Sequence, residues 1–519
     1  MRVSCIFQTA RCAVLELGEN KIFELGESLD IFVNGKFYKT TDRVITSIYG
    51  LKPDTYYEIT VKNKEETGLV TIHTDYEFVT LNVRDFGAKG DGIQDDTLFI
   101  QAAFMACPKD GRVLIPEGIY KVTSLFLKDN LQVELAKGAV ISAVIDRSQF
   151  PVLPGLIQSY DEEEEYNLGT WEGNPLPMFS GIITGINVRH VVFYGEGLIE
   201  GNASDEPDNW WYDAKVKRGA WRPRMIFLNH CEDIVFQGIQ VQNSPSWNIH
   251  PYFSEHLRFL DMKVLNPKDS PNTDGLDPES CRNVEITGVY FSLGDDCIAI
   301  KSGKIYMGSK YKRPCENIVI RQCCMRDGHG SITIGSEMAG GVRNLTVRDC
   351  LFLHTDRGLR IKTRRGRGKA AIIDGILFEN IKMDHVMTPF VINSFYFCDP
   401  DGHTEYVQSR EYHPADEKTP DIRTLVFHNI QADNCHVAAV YMYGLPEKKI
   451  QKVIMEHIRV SYAKNPKLGV PAMLDGQEEC QKMGIFAKNI NQLVLRDVKI
   501  EGQDGEELIL EGIDRLEQE

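Results

Sequence analysis

The chain has no run of about twenty apolar residues, so no membrane-spanning helix is expected within its 519 residues. Its opening, Met1-Arg2-Val3-Ser4-Cys5-Ile6-Phe7-Gln8, lacks the apolar core of a secretory signal, and a cytoplasmic location is the expectation. Cationic excess is missing too. With 58 Lys and Arg against 74 Asp and Glu, the net charge of −16 repels nucleic acid and anionic membrane at long range, and neither is an expected partner. A polyanionic ligand would need a local basic patch. Cys-x-x-Cys pairs and His-Glu-x-x-His are absent and the 13 cysteines form an odd set, so neither a metal site nor a secreted disulfide framework is indicated. The thiols read as reduced and mostly buried, and no cofactor is expected.

What is present begins with about eighty residues of short β-rich runs and turns. Ser28 to Tyr38 contains Asn34-Gly35, a strong hairpin signal. The stretch Leu51 to Val61 resembles the tyrosine-corner segment of fibronectin type III domains, with Tyr57 as the corner residue. Residues 1–80 are therefore expected to form a small β-sandwich.

From about residue 180 a loose motif recurs: a polar residue, often Asn, then a β-branched or aliphatic residue, then alternating apolar positions. Its copies centre on Ile234, Val284, Ile318, Leu345, Ile376, Leu425, Val453 and Leu493, at spacings of about 27 to about 50 residues. Copies of this kind without a sustained 3.6-residue apolar stripe indicate stacked strands, an all-β fold in which 81–519 form a parallel β-helix. One helix is expected over Asp95 to Cys107, started by an acidic residue and placed to cover the open end of the solenoid.

Four polar clusters interrupt the repeats, each about eleven to seventeen residues past the first apolar residue of its coil: Asn272-Thr273-Asp274, Gly294-Asp295-Asp296, Gly328-His329-Gly330 and Arg360-Ile361-Lys362. That shared phase puts them on one face. Glycoside hydrolysis needs one acid to protonate the leaving oxygen and one carboxylate to activate water or attack the sugar, and Asp274, Asp295 and Asp296 are candidates for both roles. Taken singly, each Asp beside a Gly reads as a turn residue and His329 as a corner residue. Arg360 and Lys362 alternate along a strand, so both face one side, where they could pair with a carboxylate. The run Arg364-Arg365-Gly366-Arg367-Gly368-Lys369 extends this expected positive patch, while Asp161-Glu162-Glu163-Glu164-Glu165 reads as a solvated loop.

These four clusters resemble the signatures of glycoside hydrolase family 28, the polygalacturonases, and Asn82 to Gly92 resembles the opening of pectinase β-helices. The resemblance implies that the solenoid is a right-handed parallel β-helix, with a galacturonan or oligogalacturonide substrate, inversion at the anomeric carbon and no metal. It makes Asp295 the general acid, with Asp274 and Asp296 holding the attacking water and His329 sustaining the protonation of the acid. By the same resemblance Arg360 and Lys362 bind a substrate carboxylate, Asn272 orients the sugar, and Tyr396 contacts it. The N-terminal domain and the insertion from about Asp399 to Asp421 resemble those of exo-acting bacterial members. Endo action, a xylogalacturonan or rhamnogalacturonan substrate, calcium-dependent pectate lyase chemistry and non-catalytic binding are the competing readings.

Overall fold

The computed structural model describes residues 1–158, 165–214 and 222–519. Of the acidic run at 161–165 only Glu165 is therefore described. It is not a free surface charge, because its carboxylate accepts hydrogen bonds from the Tyr306 and Tyr311 hydroxyls and pairs with Lys310.

The N-terminal residues form two antiparallel sheets. One carries Val3–Gln8, Cys12–Leu17 and Ile45–Tyr49; the other orders Lys36–Arg43, Glu24–Val33, Tyr56–Lys62 and Thr67–His73. Leu15, Leu17, Leu29, Ile31, Ile59 and Val61 fill the space between them, as alternating strands with one buried face require. The Lys52 amide donates to the Tyr57 hydroxyl at 2.8 Å. This unit docks through polar contacts: Gln237 Nε2 donates to Ser47 Oγ (2.7 Å) and Tyr49 OH (2.8 Å), and Ser47 Oγ donates to Asp261 Oδ2 (2.5 Å).

From Val79–Asn82 onward the stacked strands of the described residues build a parallel β-helix. Its first stack pairs Leu131, Val191, Ile234, Leu257, Val284, Ile318, Leu345, Ile376, Leu425, Val453, Leu493 and Leu516 in direct register. All eight repeat positions lie in that column. The solenoid nonetheless starts about a hundred residues before the repeat becomes readable, at Val79–Asn82 beside Gly111–Ile115, and a further coil at Glu255–Leu260 lies between the first two copies. The early strands are flanked by long connections, so no constant spacing announces them.

The polar residue of the motif has a conformational cause. His190, Asp233, His256, Asn283, Asn317 and Asn344 all turn the chain with positive φ, which Asn and Asp tolerate better than other side chains. Stacked one coil apart, the asparagines form a ladder: Asn317 Nδ2 donates to Asn283 Oδ1 (3.2 Å) and Asn344 Nδ2 to Asn317 Oδ1 (3.1 Å).

The helix runs Thr97–Ala106 and buries Ile100, Ala103 and Phe104 over the first coil. Asp95 Oδ1 accepts from the Thr97 amide, whereas Asp96 is fully buried and instead ties down the Lys89 and Gly90 amides at 2.9 Å each. No helix is long and apolar enough to cross a membrane among the described residues.

Candidate active site

The third stack of strands carries the site. Ile249, Leu276, Ile298, Ile332, Leu359 and Phe390 stack inward in register, so the residues between them point outward. Asp274, Asp295, Asp296 and His329 sit at the turns entering this stack, and Arg360 and Lys362 lie on the strand Arg357–Lys362. Backbone bonds hold the turns one on another: Gly275 N to Asp296 O is 3.0 Å, Cys297 N to Gly330 O is 2.8 Å and His329 N to Asp295 O is 3.2 Å. Glycine is required by this closeness. A Cβ on Gly328 would meet Asp295 O at 2.5 Å, and one on Gly330 would meet Thr333 Oγ1 at 2.3 Å and Asp296 Oδ1 at 2.9 Å.

Carboxylate oxygens of Asp274, Asp295 and Asp296 lie within 4.8 Å of one another. Asp296 is fully buried, and each of its oxygens is bound by a cation: Arg360 Nη1 at 3.2 Å and Lys362 Nζ at 2.8 Å. Burial opposes ionisation there, but Lys362 and Arg360 outweigh it and hold the carboxyl well below its usual range. Asp274 behaves oppositely. Burial, then Asp295 and Asp277, push it well above the usual range, which makes it a store for a proton shared across the cluster. Asp295 is the more open of the three and faces the cavity. A cation bridging the trio would meet the charges of Arg360 and Lys362, which already occupy both oxygens of Asp296.

His329 Nδ1 lies 2.8 Å from Asp356 Oδ2. That bond raises the imidazole's affinity for its proton against the effect of burial, and Asp295 adds to it. Asn272 is held from behind, its Oδ1 accepting from Arg222 Nη2 at 2.7 Å. Tyr396 is buried but lines the cavity, its ring 5.5 Å from Lys362 Nζ. All eight sequence-assigned residues line one cavity of about 520 Å³.

The basic run 364–369 does not. Arg364, Arg365 and Arg367 are buried: Arg364 pairs with Asp399 and Asp401, Arg367 with Asp399, and Arg365 with Glu447 while also donating to the Tyr406, Ser409 and Glu411 carbonyls. Lys369 alone is open, and it meets Glu417. The expected extension of the positive patch is therefore overturned; these arginines bind the 399–421 insertion to the solenoid, satisfying carbonyls a loop cannot pair internally.

Several lining residues were not foreseen. Lys301 extends the strand Ile298–Ile300 outward, its Nζ 3.0 Å from Glu337 Oε2 and 4.4 Å from the Trp247 ring centroid. The parity that identified Arg360 and Lys362 applies equally to Lys301. Arg357, at the start of their strand, donates to Val470 O at 2.9 Å and lies 3.5 Å from the Asp356 oxygen already used by His329. Each other lysine or arginine lining the cavity has a carboxylate oxygen within 3.2 Å, so Arg357 is the least compensated of them. Glu172, Asp399, Val470 and Met473 arrive from connecting segments that no repeat could place.

A family model described as glycosyl hydrolases family 28 matches residues 163–471, and one described as rhamnogalacturonase A/epimerase, pectate lyase-like, matches residues 80–149. A probable polygalacturonase from Vitis vinifera is 30% identical over 393 residues, 74% of this chain and 74% of its own. Among solved structures, a family 28 exopolygalacturonase from Yersinia enterocolitica superposes with a TM-score of 0.71 at 17% identity, covering 99% of this chain and 97% of that one. A hyperthermoactive exopolygalacturonase from Thermotoga maritima gives 0.62 at 24%, covering 78% and 96%. The two structural likenesses speak to the fold.

Proposed function

Because the chain belongs to glycosyl hydrolase family 28, we propose that it hydrolyses α-1,4-galacturonosidic bonds of homogalacturonan or its oligomers with inversion, releasing galacturonate from a chain end. The observation that carries this reading is the division of labour among the three aspartates. Asp296, fixed as an anion by two cations, is a poor nucleophile and a weak base, but it stays ionised to hold the attacking water and draw its proton as it adds, and Asp274 stands beside it. Asp295, open to the cavity, is placed to protonate the leaving oxygen. Most inverting glycosidases separate their carboxyl groups by about 6.5–9.5 Å, and here the nearest oxygens are closer. Inversion is therefore argued from the pairing of Asp296 rather than from spacing.

In the same reading His329, held by Asp356, sustains the protonation of Asp295; Asn272 and Tyr396 position the sugar; and Arg357 joins Arg360 and Lys362 in meeting uronate carboxylates. Support for exo action comes from the cavity wall, where Glu172, Asp399 and the Val470–Met473 segment converge from three separate loops around the aspartates. Support for a reducing compartment comes from the thirteen free cysteines, ten of them buried. The bond from Lys52 N to Tyr57 OH supports a fibronectin type III-like N-terminal domain.

The test is incubation with polygalacturonate and with trigalacturonate, following product size, ultraviolet absorbance and the first-formed anomer by NMR. Galacturonate released alone, as the inverted anomer and without absorbance, is expected. A ladder of oligomers would replace exo by endo action, the retained anomer would overturn the water mechanism, and absorbance would indicate elimination. Asp295→Asn is expected to lower kcat by about 10²–10⁴-fold with folding intact.

A further inference from the structure

The segment from Ala463 to Cys480 walls one side of the catalytic cavity, where Val470 and Met473 line it. Its two halves are held differently. In the second, Ala472 and Leu474 pack with Phe395, Tyr441 and Tyr443, the Met473 carbonyl accepts from Asn393 Nδ2 at 2.8 Å, and Asp475 meets Gln408, Arg410 and His403. In the first, Lys464, Asn465, Lys467 and Leu468 are exposed. Among the described residues, the hydrogen bond that ties them down runs from the Lys467 amide to His436 Nδ1, at 3.2 Å.

That bond fixes the state of the imidazole. A backbone N–H can only donate, so Nδ1 must present its lone pair and the ring must be neutral, with its proton on Nε2. The surroundings favour this form. His436 is buried, its ring 5.8 Å from that of His385, which lies 5.0 Å from His354 in turn, and Lys464 and Lys467 stand on the loop itself. The nearest facing carboxylate, Asp384, is committed to His385 at 3.0 Å and to Asn434 at 2.7 Å. On the remaining sides Arg326 meets Asp327, His329 meets Asp356, and Lys482, whose amide donates to the His436 carbonyl, turns its amine to Asp504. Burial first, then Lys467 and the two histidines, hold the proton affinity of His436 below its ordinary value, with Asp384 opposing them.

Lys467 stands three residues before Val470, whose carbonyl accepts from Arg357 Nη2 at 2.9 Å. We propose that His436 is a positioning residue: as a neutral acceptor it latches the 464–468 segment, keeps Val470 on Arg357 and so aims that guanidinium into the cavity, and a proton on Nδ1 releases the latch. The consequence for Arg357 rests on the uronate reading above; the latch does not. Protonation sets a second donor opposite the amide and a cation beside Lys467. Because His436 binds its proton more weakly in the folded than in the unfolded chain, the latch is complete above about pH 6.5 and is lost as pH falls through the lowered value.

His436→Asn puts an amide oxygen near the place of Nδ1 and does not titrate, whereas His436→Ala has no acceptor. Hydrogen exchange over 464–470, with all three proteins compared at each pH, reads the latch directly. Relative to His436→Ala, the wild type is expected to be protected roughly five- to tenfold at pH 7 and not at pH 5, while His436→Asn keeps its protection at both. KM on polygalacturonate should rise between pH 7 and pH 5 about threefold more in the wild type than in His436→Asn, while the acid limb of kcat, set by the aspartates in both proteins, stays common. His436→Gln serves as a second amide should His436→Asn not fold. Wild-type protection no greater than that of His436→Ala at pH 7, or unchanged at pH 5, would overturn the latch. Expected exchange with equal KM shifts in the two proteins would overturn its reach to Arg357. Failure of the wild type to cleave polygalacturonate would refute the uronate reading, and exchange would still decide the latch.

Discussion

Arg364, Arg365 and Arg367 stand within four positions of one another yet face nothing a ligand can reach, whereas Lys268, Arg326, Lys464 and Lys467 span about two hundred residues and share one wall. The first group looks like a binding patch in sequence and is scaffold in space. The second leaves no mark in sequence and forms the open positive surface. What separates them is the partner. A guanidinium carries five donors and can be buried where several carbonyls and a carboxylate converge, as carbonyls of the 399–421 insertion and the Glu447 carboxylate do around Arg365. A lysine amine on a loop, with no such cage, remains available.

This contrast is broken most easily at Arg365. Removing one member of a buried pair leaves the other uncompensated, so Arg365→Ala is expected to cost about 3–5 kcal/mol, read as a lower denaturant midpoint and faster proteolysis within 399–421. An unchanged midpoint would make the buried run as dispensable as a surface one. A comparable effect is expected at Glu279, buried against His250 at 2.9 Å with one oxygen lacking a partner among the described residues. Burial raises its carboxyl from 4.5 to about 7. A raised acid makes the folded state bind more protons, so its contribution to stability falls as pH rises from about 4.5 to 7. The full difference is roughly 3 kcal/mol. Glu279→Gln should flatten melting temperature against pH across that window, and an unaltered slope would assign the dependence elsewhere.

Smaller again is Lys362→Met. With one of its two cations gone, the Asp296 carboxyl moves upward from its depressed position. The form needed to accept a proton from water is then lost at a higher pH, so the acid limb of the kcat profile shifts to higher pH while kcat falls about a hundredfold. A loss of kcat without that shift would mean that Lys362 acts on substrate alone. The least effect is expected from Lys464→Gln with Lys467→Gln on stability, within about 0.5 kcal/mol by denaturant titration; a larger loss would place these lysines in the scaffold.

Much of the site was legible because a solenoid converts sequence phase into spatial alignment. Asp274, Asp295, Asp296, His329, Arg360 and Lys362 share a phase and share a cavity. Lys301 satisfied the same parity but sat outside the four clusters. Glu172 and Met473 could not be read, since loops of unrelated length deliver them. The arginine run misled because exposure depends on what packs over a segment, and the covering insertion lies more than thirty residues away in the chain. The first coils were invisible for a related reason: a long connection between Ala143 and Ile183 separates Leu131–Leu135 from its register partner Arg189–Gly195, so strands paired in register have no common spacing.

The ladder of asparagines at the coil corners also has a mechanical meaning. Each rung bonds only to its neighbours, so tension applied at the last strand, Leu508–Gln518, loads one coil at a time. Pulled from that end, the solenoid should peel in discrete steps set by the register spacings of its coils, about 23 to about 49 residues. Each step releases roughly 80–170 Å of extended chain, a staircase rather than a single rupture.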